Sequence, residues 1–217
     1  MSESGSGEPR QDAPVVLAIT GASGAPYGVR LLEVLNAAGV PVRLVVSETG
    51  WRLLREEEGI ADEAALRART GDWSRVILYP DGDRGATPAS GSAPSRGMVI
   101  CPCSMGTLAS IAQGTTRSLV ERAADVCLKE RRPLILVPRE APYSTIHLEN
   151  MLRLGRAGAV ILPASPGFYH RPSTIAELVD FIVGRITAHL GLELEIGPRW
   201  RSGEPTQRHG HAAGSDQ

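Results

Sequence analysis

The sequence KERRPLILVPREAPY, residues 129–143, places a short apolar run between charged residues. Residues 134–137 are continuously apolar, which predicts a strand covered on both faces of a sheet. Arg139 and Glu140 follow directly at the carboxyl end of that strand, between two prolines. Ligands of parallel α/β sheets bind at this edge. The stretch therefore predicts a parallel sheet with an anion-binding site at its carboxyl edge.

Strand and helix patterns alternate on both sides of this stretch. We expect strands at residues 15–19, 42–46, 75–79, 98–101, 134–137 and 159–162. We expect helices at residues 27–38, 49–58, 62–69, 105–113, 119–130, 145–154 and 173–190. This order predicts right-handed crossovers and a Rossmann-like sandwich of three layers, α/β/α, around a parallel sheet. One domain is expected over residues 14–200, with disordered tails at 1–13 and 201–217.

The composition of the chain argues against nucleic-acid-binding, membrane and disulfide-rich proteins. The chain has 217 residues, a net charge of -1 and 4% aromatic residues, which gives no reason to expect nucleic acid or an anionic membrane as a partner. No apolar run reaches the ~18 residues of a membrane span. Three cysteines, Cys101, Cys103 and Cys127, lie in apolar or helical contexts and predict buried thiols in a cytoplasmic protein.

The first strand is followed by a glycine-rich turn, TGASGAPYG, residues 20–28. Its glycines let backbone N–H groups approach a phosphate at a helix N-terminus. Ser23 stands at the second glycine of the dinucleotide fingerprint G-x-G-x-x-G, and the turn matches neither a Walker loop nor a nucleophile elbow. A tight turn without a ligand is the alternative. Glu48, after the second strand, keeps a nicotinamide-dependent dehydrogenase open as well.

Hydroxyl groups and cations accumulate at the later strand ends. Ser104 and Thr107 bracket a predicted helix start, where they can cap the helix or face a planar ligand. Cys101 and Cys103 have poor zinc spacing, so no metal is expected there. For Arg122 and Lys129, seven residues apart on one helix face, solvated surface cations are the ordinary alternative. The functional interpretation gains weight from Arg139, Glu140 and Tyr169, and Arg185 follows in the last helix.

Seven segments, in this order, resemble the flavin prenyltransferase family (UbiX-type): TGASGAPYG, ASGS, VICPCSMGTLASIA, ERAADVCLKERRPLILVPREAPYS, HLENMLRL, GAVILPASPGFYH and PRW. The resemblance covers about residues 15–200. It implies a flavodoxin-like, homododecameric enzyme that joins the dimethylallyl group of dimethylallyl phosphate to N5 and C6 of reduced FMN without a metal. The product, prenylated FMN, is the cofactor of UbiD-type decarboxylases, as in ubiquinone biosynthesis.

The resemblance also assigns residues. FMN-binding positions are Gly21, Ala22, Ser23, Ser47, Ser104, Met105, Gly106, Thr107 and Arg139. Positions for dimethylallyl phosphate are Ser90, Arg122, Lys129, Tyr169 and Arg185. Glu140 matches a residue that passes a proton between phosphate and flavin, and Lys129, Ser23 and Glu57 match further positions implicated in the chemistry. Trp200 matches an aromatic lid.

One position of the sequence departs from the family pattern, and one alternative to the prenyltransferase function remains. Arg84 stands where relatives carry a large apolar residue against the prenyl chain, so donor preference is less defined than flavin binding. The alternative function is an FMN carrier or a flavoprotein decarboxylase of the cysteine-oxidising kind. Those decarboxylases have a catalytic histidine in the early helix, and residues 27–38 contain none.

Overall fold

A computed structural model describes residues 12–197 and contains one six-stranded parallel sheet. Its strands are β1 (Val15–Ile19), β2 (Val42–Val46), β3 (Val76–Pro80), β4 (Gly97–Cys103), β5 (Leu134–Pro138) and β6 (Val160–Ile161). The strand order is β3-β2-β1-β4-β5-β6, so the chain starts in the centre, runs to one edge and then crosses to the other half. The crevice at this reversal, between the ends of β1 and β4, is where such folds bind ligands.

Seven α-helices lie between or after the strands within the described residues: α1 (Ala25–Ala37), α2 (Glu48–Glu58), α3 (Glu63–Thr70), α4 (Met105–Ala112), α5 (Leu119–Lys129), α6 (Thr145–Arg156) and α7 (Ile175–His189). Six of them begin with a side-chain cap whose oxygen accepts a hydrogen bond from the backbone N–H three residues later. The exception is α1, whose N-cap is Gly24 and has no side-chain cap of its own.

Alternating residues of the strands divide the core into two layers. Val15, Leu17 and Ile19 of β1 pack with α1, α2, α3 and α7, whereas Val16 and Ala18 pack with α4, α5 and α6. We call these layers the α1 side and the α5 side. The predicted flavodoxin-like, Rossmann-like α/β/α sandwich is confirmed.

Element boundaries differ from the expected ones in a few places. Helix α1 begins two residues earlier, at Ala25, because Pro26 in the first turn needs no partner for a backbone N–H. Strand β4 continues to Cys103, because Pro102 falls where the pairing register with β5 shifts. Strand β6 has only two residues.

The predicted tails and Trp200 lie outside residues 12–197, apart from Asp12 and Ala13. No helix among the described residues is long and apolar enough to cross a membrane.

Candidate functional site

Thr20 joins the ends of the two central strands. Its hydroxyl donates to the carbonyl oxygen of Pro102 at 2.9 Å and accepts from the backbone N–H of Ser104 at 2.9 Å. The side chain is 2% exposed, so both bonds form away from water. The turn after β1 and the turn after β4 are therefore held in fixed register at the predicted binding edge.

Gly21 allows the start of α2, which follows β2, to pack closely against the glycine-rich turn. A Cβ atom at Gly21 would lie 2.4 Å from the Thr49 hydroxyl oxygen and 2.5 Å from its Cβ. Ser47, the N-cap of α2, accepts from Gly50 N at 3.0 Å and lies 3.2 Å from the same threonine hydroxyl. The absence of a side chain at Gly21 thus brings two hydroxyl groups against the glycine-rich turn.

Arg139 links the end of β5 to the glycine-rich turn after β1. Its Nε atom donates to the backbone oxygen of Ser23 at 3.0 Å, and the side chain is half-buried. Glu140, the next residue, is also half-buried, and its Oε1 atom accepts from the N–H of Ala141 at 3.1 Å. The charged pair from the opening stretch therefore stands at the crevice, as expected.

The N-terminus of α1 does not offer the anion site that the glycine-rich turn suggests. Oε2 of Glu57, at the end of α2, accepts from the backbone N–H groups of Gly24 and Ala25, each at 2.8 Å. A carboxylate of this chain therefore occupies the position where a dinucleotide's pyrophosphate would bind. This contact counts against the nicotinamide-dependent alternative. It also gives Glu57 a definite structural contact, capping a helix that lacks its own cap.

The remaining flavin positions supply small polar groups and backbone. Ser104 caps α4, accepting from Thr107 N at 3.1 Å, and the two hydroxyl oxygens lie 2.9 Å apart. Gly106 is exposed in the first turn of α4, and the nearest atom to a Cβ built there is 3.9 Å away. Met105 is 8% exposed and packs into the core. The site therefore offers several hydroxyl groups, the guanidinium of Arg139 and the exposed first turn of α4. This set of groups fits a ligand with one planar polar ring system and one phosphate.

Three of the expected donor-binding residues share the α5 side, and we call Ser90, Arg122 and Lys129 the α5 group. A Cβ at Gly91 would lie 2.7 Å from Lys129 Nζ, so the loop with Ser90 runs against the end of α5. Lys129 pairs with Glu130, and Arg122 pairs with Asp125 at 3.0 Å.

The segment between β3 and β4 is tethered along its length. Arg132 donates to the backbone oxygens of Gly91 at 2.5 Å and Ala93 at 2.8 Å. The oxygen of Asp81 accepts from Leu119 N at 2.7 Å, and Arg96 N donates to Pro14 O at 2.9 Å. Arg84 is exposed in a turn of this segment. These contacts hold the loop that carries Ser90 in one position.

The other two donor positions, Tyr169 and Arg185, form the α7 group on the α1 side. Both line a cavity of about 520 Å³ between α7 and residues 191–196. Phe181 contributes to the same wall. The cavity thus combines a phenol, a guanidinium and apolar surface, which suits a phosphate attached to a short hydrocarbon.

Within one chain, the structure does not bring all donor-site residues together. The α5 group and the α7 group lie on opposite faces of the sheet. Lys129 precedes β5 and Glu140 follows it, so these two side chains also lie at opposite ends of that strand. If all these residues serve one reaction, they belong to sites shared between copies of the chain.

The three cysteines are free and buried, as predicted. Burial raises the pKa of the Cys101 and Cys103 thiols far above the ordinary range and raises that of Cys127 to about 12. These thiols stay protonated at neutral pH, which leaves them poor nucleophiles. Between residues 12 and 197, no group of three or more histidine, cysteine, aspartate or glutamate side chains is placed to hold a metal.

Sequence reasoning missed three residues that organise the site. These are Thr20, Thr49 and Arg132, which act through contacts with other parts of the chain. Thr20 carried a usable signal, because a hydroxyl directly after a buried strand must find a partner if it is buried. The other two carried no comparable signal.

We expect Gly21→Ala to lower the melting temperature by about 3 to 10 °C and to weaken FMN binding by about 10-fold or more, because the new Cβ displaces Thr49. Rotation of the threonine cannot relieve the clash, since its own Cβ is involved. Thr49→Gly in the same chain should restore binding. Flavin fluorescence titration and thermal melting measure both effects.

The matched control is Gly155→Ala on α6, where a Cβ would meet no atom within 4 Å. It should leave FMN binding unchanged and stabilise the helix slightly. An unchanged dissociation constant for FMN in Gly21→Ala would contradict the assigned packing of this edge.

Comparison with known proteins agrees with this geometry. The Flavoprotein family model matches residues 3–187, and the chain belongs to that family. Within it, the chain belongs to the UbiX-type flavin prenyltransferases. It is 49% identical over 194 residues to the flavin prenyltransferase UbiX of Pseudomonas aeruginosa, covering 86% of this chain and 93% of that protein. Identity to the UbiX of Methanothermobacter thermautotrophicus is 47% over 186 residues, covering 86% and 94%.

Solved structures give the same result. AnUbiX (PadA1), solved in complex with FMN and dimethylallyl pyrophosphate, superposes with a TM-score of 0.80 at 40% identity, over 88% of this chain and 99% of that one. A dodecameric FMN-dependent UbiX-like decarboxylase from Escherichia coli O157:H7 gives 0.79 at 41% identity, over 87% and 99%. The cypemycin decarboxylase CypD, at 18% identity, a TM-score of 0.54 and coverage of 71% and 84%, shares the fold alone.

Proposed function

We propose that this protein is a flavin prenyltransferase that uses FMN and dimethylallyl phosphate as substrates. The observation that carries the proposal is sustained similarity to flavin prenyltransferases over nearly their whole length. The geometry agrees, because the strand-end crevice suits a mononucleotide and Glu57 fills the position of a second phosphate. In the reaction, the C–O bond of the donor breaks, phosphate leaves with the electron pair, and the two outer carbons of the allyl unit become bonded to N5 and C6 of reduced FMN. The hydrogens on N5 and C6 leave as protons, of which one is taken up by the middle carbon of the former alkene and one by the phosphate.

The cationic side chains stabilise the charge on the departing phosphate. Lys129 and Arg122 from the α5 group and Arg185 from the α7 group supply positive charge, and Tyr169 and Ser90 supply hydrogen-bond donors. Fixed donors of this kind stabilise developing negative charge without reorganisation of solvent. This set performs the task that a metal ion performs in other enzymes, so the proposed reaction needs no metal.

The flavin is held by the β1, β2 and β4 turns and by Arg139. Glu140 adjoins that arginine. We assign to its carboxyl group the transfer of a proton between the leaving phosphate and the flavin. Ser23 stands in the turn whose carbonyl anchors Arg139 and contributes its hydroxyl to the reacting edge. Glu57 holds the start of α1, and so the turn, in the binding conformation.

We infer that the protein works as a homo-oligomer, a dodecamer by similarity to the Escherichia coli protein. Two separate apolar surfaces support assembly: Ile146 and Leu152 on α6 are 68% and 54% exposed, and Phe168 and Ile175 are 70% and 77% exposed. Two different surfaces on one chain allow contacts that close into a ring. Such contacts can also unite the α5 group of one copy with the α7 group of another.

The product, prenylated FMN, is expected to pass to a UbiD-type decarboxylase. Free, buried thiols support the expected cytoplasmic location, where disulfides are rare. The flavoprotein decarboxylase alternative lacks its catalytic histidine, because α1 contains none.

Mass spectrometry of the flavin tests the proposal. Incubation of the purified protein with FMN, a reductant and dimethylallyl phosphate should give FMN heavier by one dimethylallyl unit. EDTA should leave the yield unchanged, and omission of the reductant should abolish it. Recovery of unmodified FMN from the complete mixture would instead indicate an FMN carrier.

A further inference from the structure

Tyr169 belongs to a cluster of three aromatic rings, formed by α7 and by the segment between β6 and α7. The ring of His170 stacks on that of Phe181, with centroids 5.5 Å apart and an interplanar angle of 3°. Tyr169 meets His170 at 5.5 Å and 78°, and Phe181 at 5.9 Å and 74°. Edge-to-face contacts of this kind favour one orientation of the tyrosine ring. We call Tyr169, His170 and Phe181 the ring cluster.

Gly167 gives the ring cluster room. A Cβ at this position would lie 3.1 Å from Cε1 of Tyr169 and 3.2 Å from Cζ of Phe181. The backbone at Gly167 therefore lies directly against both rings. The stacked pair contacts the tyrosine on one side, and this backbone contacts it on another.

His170 contributes to the cluster without a hydrogen bond from its ring, although its imidazole is close enough to Glu177 to interact with that carboxylate electrostatically. Both ring nitrogens are buried, and neither has a hydrogen-bond partner among the described residues. Unsatisfied buried polar atoms are destabilising, whereas an apolar ring of the same shape would not be penalised. The packing contribution of this imidazole therefore comes from its flat ring, which holds Phe181 on its face and Tyr169 at its edge.

We propose that His170 is a positioning residue for the donor site. Its ring fixes Tyr169 at the wall of the cavity that Arg185 shares, so that the phenol is oriented for the donor phosphate before binding. Tyr169 follows β6 in a segment without helix or strand and is 52% exposed, so side-chain packing contributes to its orientation. This inference rests on the proposed function. It adds to the donor site a residue that acts through Tyr169 and not through contact with a substrate.

Three variants of the full-length protein test the inference: His170→Ala, His170→Phe and, as the matched control, His189→Ala in the exposed last turn of α7. His170→Ala should raise KM for dimethylallyl phosphate by about 10-fold, with the dissociation constant for FMN within about twofold of wild type. His170→Phe should restore KM and raise the melting temperature by about 2 to 6 °C. His189→Ala should change neither quantity.

Two results would overturn the inference while leaving the proposed function intact. One is an unchanged donor KM in His170→Ala. The other is a His170→Phe variant as impaired as His170→Ala, which would assign the role to the ring nitrogens instead of the ring. A wild-type protein that binds FMN and transfers no prenyl group would refute the proposed function and this inference together. Size-exclusion chromatography shows whether any variant has lost its assembly.

Discussion

Replacement of Glu140 by glutamine is expected to lower kcat for prenyl transfer by about 100-fold or more, because proton transfer by a positioned carboxyl group contributes that much or more to catalysis. Glutamine keeps the size of the side chain and can still accept from Ala141 N, as Oε1 of Glu140 does at 3.1 Å. Arg139 remains anchored to Ser23, so FMN affinity should stay within about twofold. Single-turnover kinetics with reduced FMN separate the chemical step from binding.

Glu149→Gln provides the control for this experiment. Glu149 lies exposed on α6, and the change removes the same charge from the chain. Its kcat should equal that of the wild type. A Glu140→Gln variant that turns over at the wild-type rate would exclude the proton-transfer role and leave Glu140 as a structural neighbour of Arg139.

Mixed oligomers of two inactive variants are expected to regain activity. Lys129→Ala disables the α5 group and Arg185→Ala disables the α7 group, so each variant alone should lose most of its activity. If each site combines the two groups from different copies, random one-to-one assembly leaves about a quarter of the sites complete. Coexpression or subunit exchange, followed by the prenyl transfer assay, measures the recovery.

A pair of variants in the same group is the matched control. Lys129→Ala mixed with Arg122→Ala should recover nothing, because both changes affect the α5 group. Recovery in the first mixture alone would locate the site between copies. Absence of recovery in both mixtures, with assembly intact, would mean that the two groups serve separate sites.

The fold was accessible from the sequence because its signals are local. Apolar runs such as residues 134–137 predicted the parallel strands, and Ser104 was correctly assigned as a possible cap of α4. The glycine-rich turn was located correctly, but the partner of the N–H groups at the start of α1 was not predicted. The N–H groups expected to bind a phosphate bind Glu57, 33 residues from Gly24, and only the packing of α2 beside α1 reveals this.

The arrangement of the donor site was less predictable for the same reason. Tyr169 and Arg185, both expected at the donor site, line one cavity. Their separation from Lys129 depends on which face each helix covers, which a list of helices does not define. The ring cluster and the contacts of Arg132 likewise depend on segments far apart in sequence: Phe181 lies eleven residues beyond His170, and Arg132 lies 41 residues beyond Gly91.

The tethers on the segment between β3 and β4 have a consequence for the kinetics of donor binding. Asp81, Gly91, Ala93 and Arg96 are already bonded to α5, to Arg132 and to Pro14. No loss of chain entropy is then needed to order this segment when the donor arrives. We therefore expect the proposed encounter of the donor with the α5 group to be governed by diffusion and by the attraction between cations and phosphate, not by the slow closing of a loop.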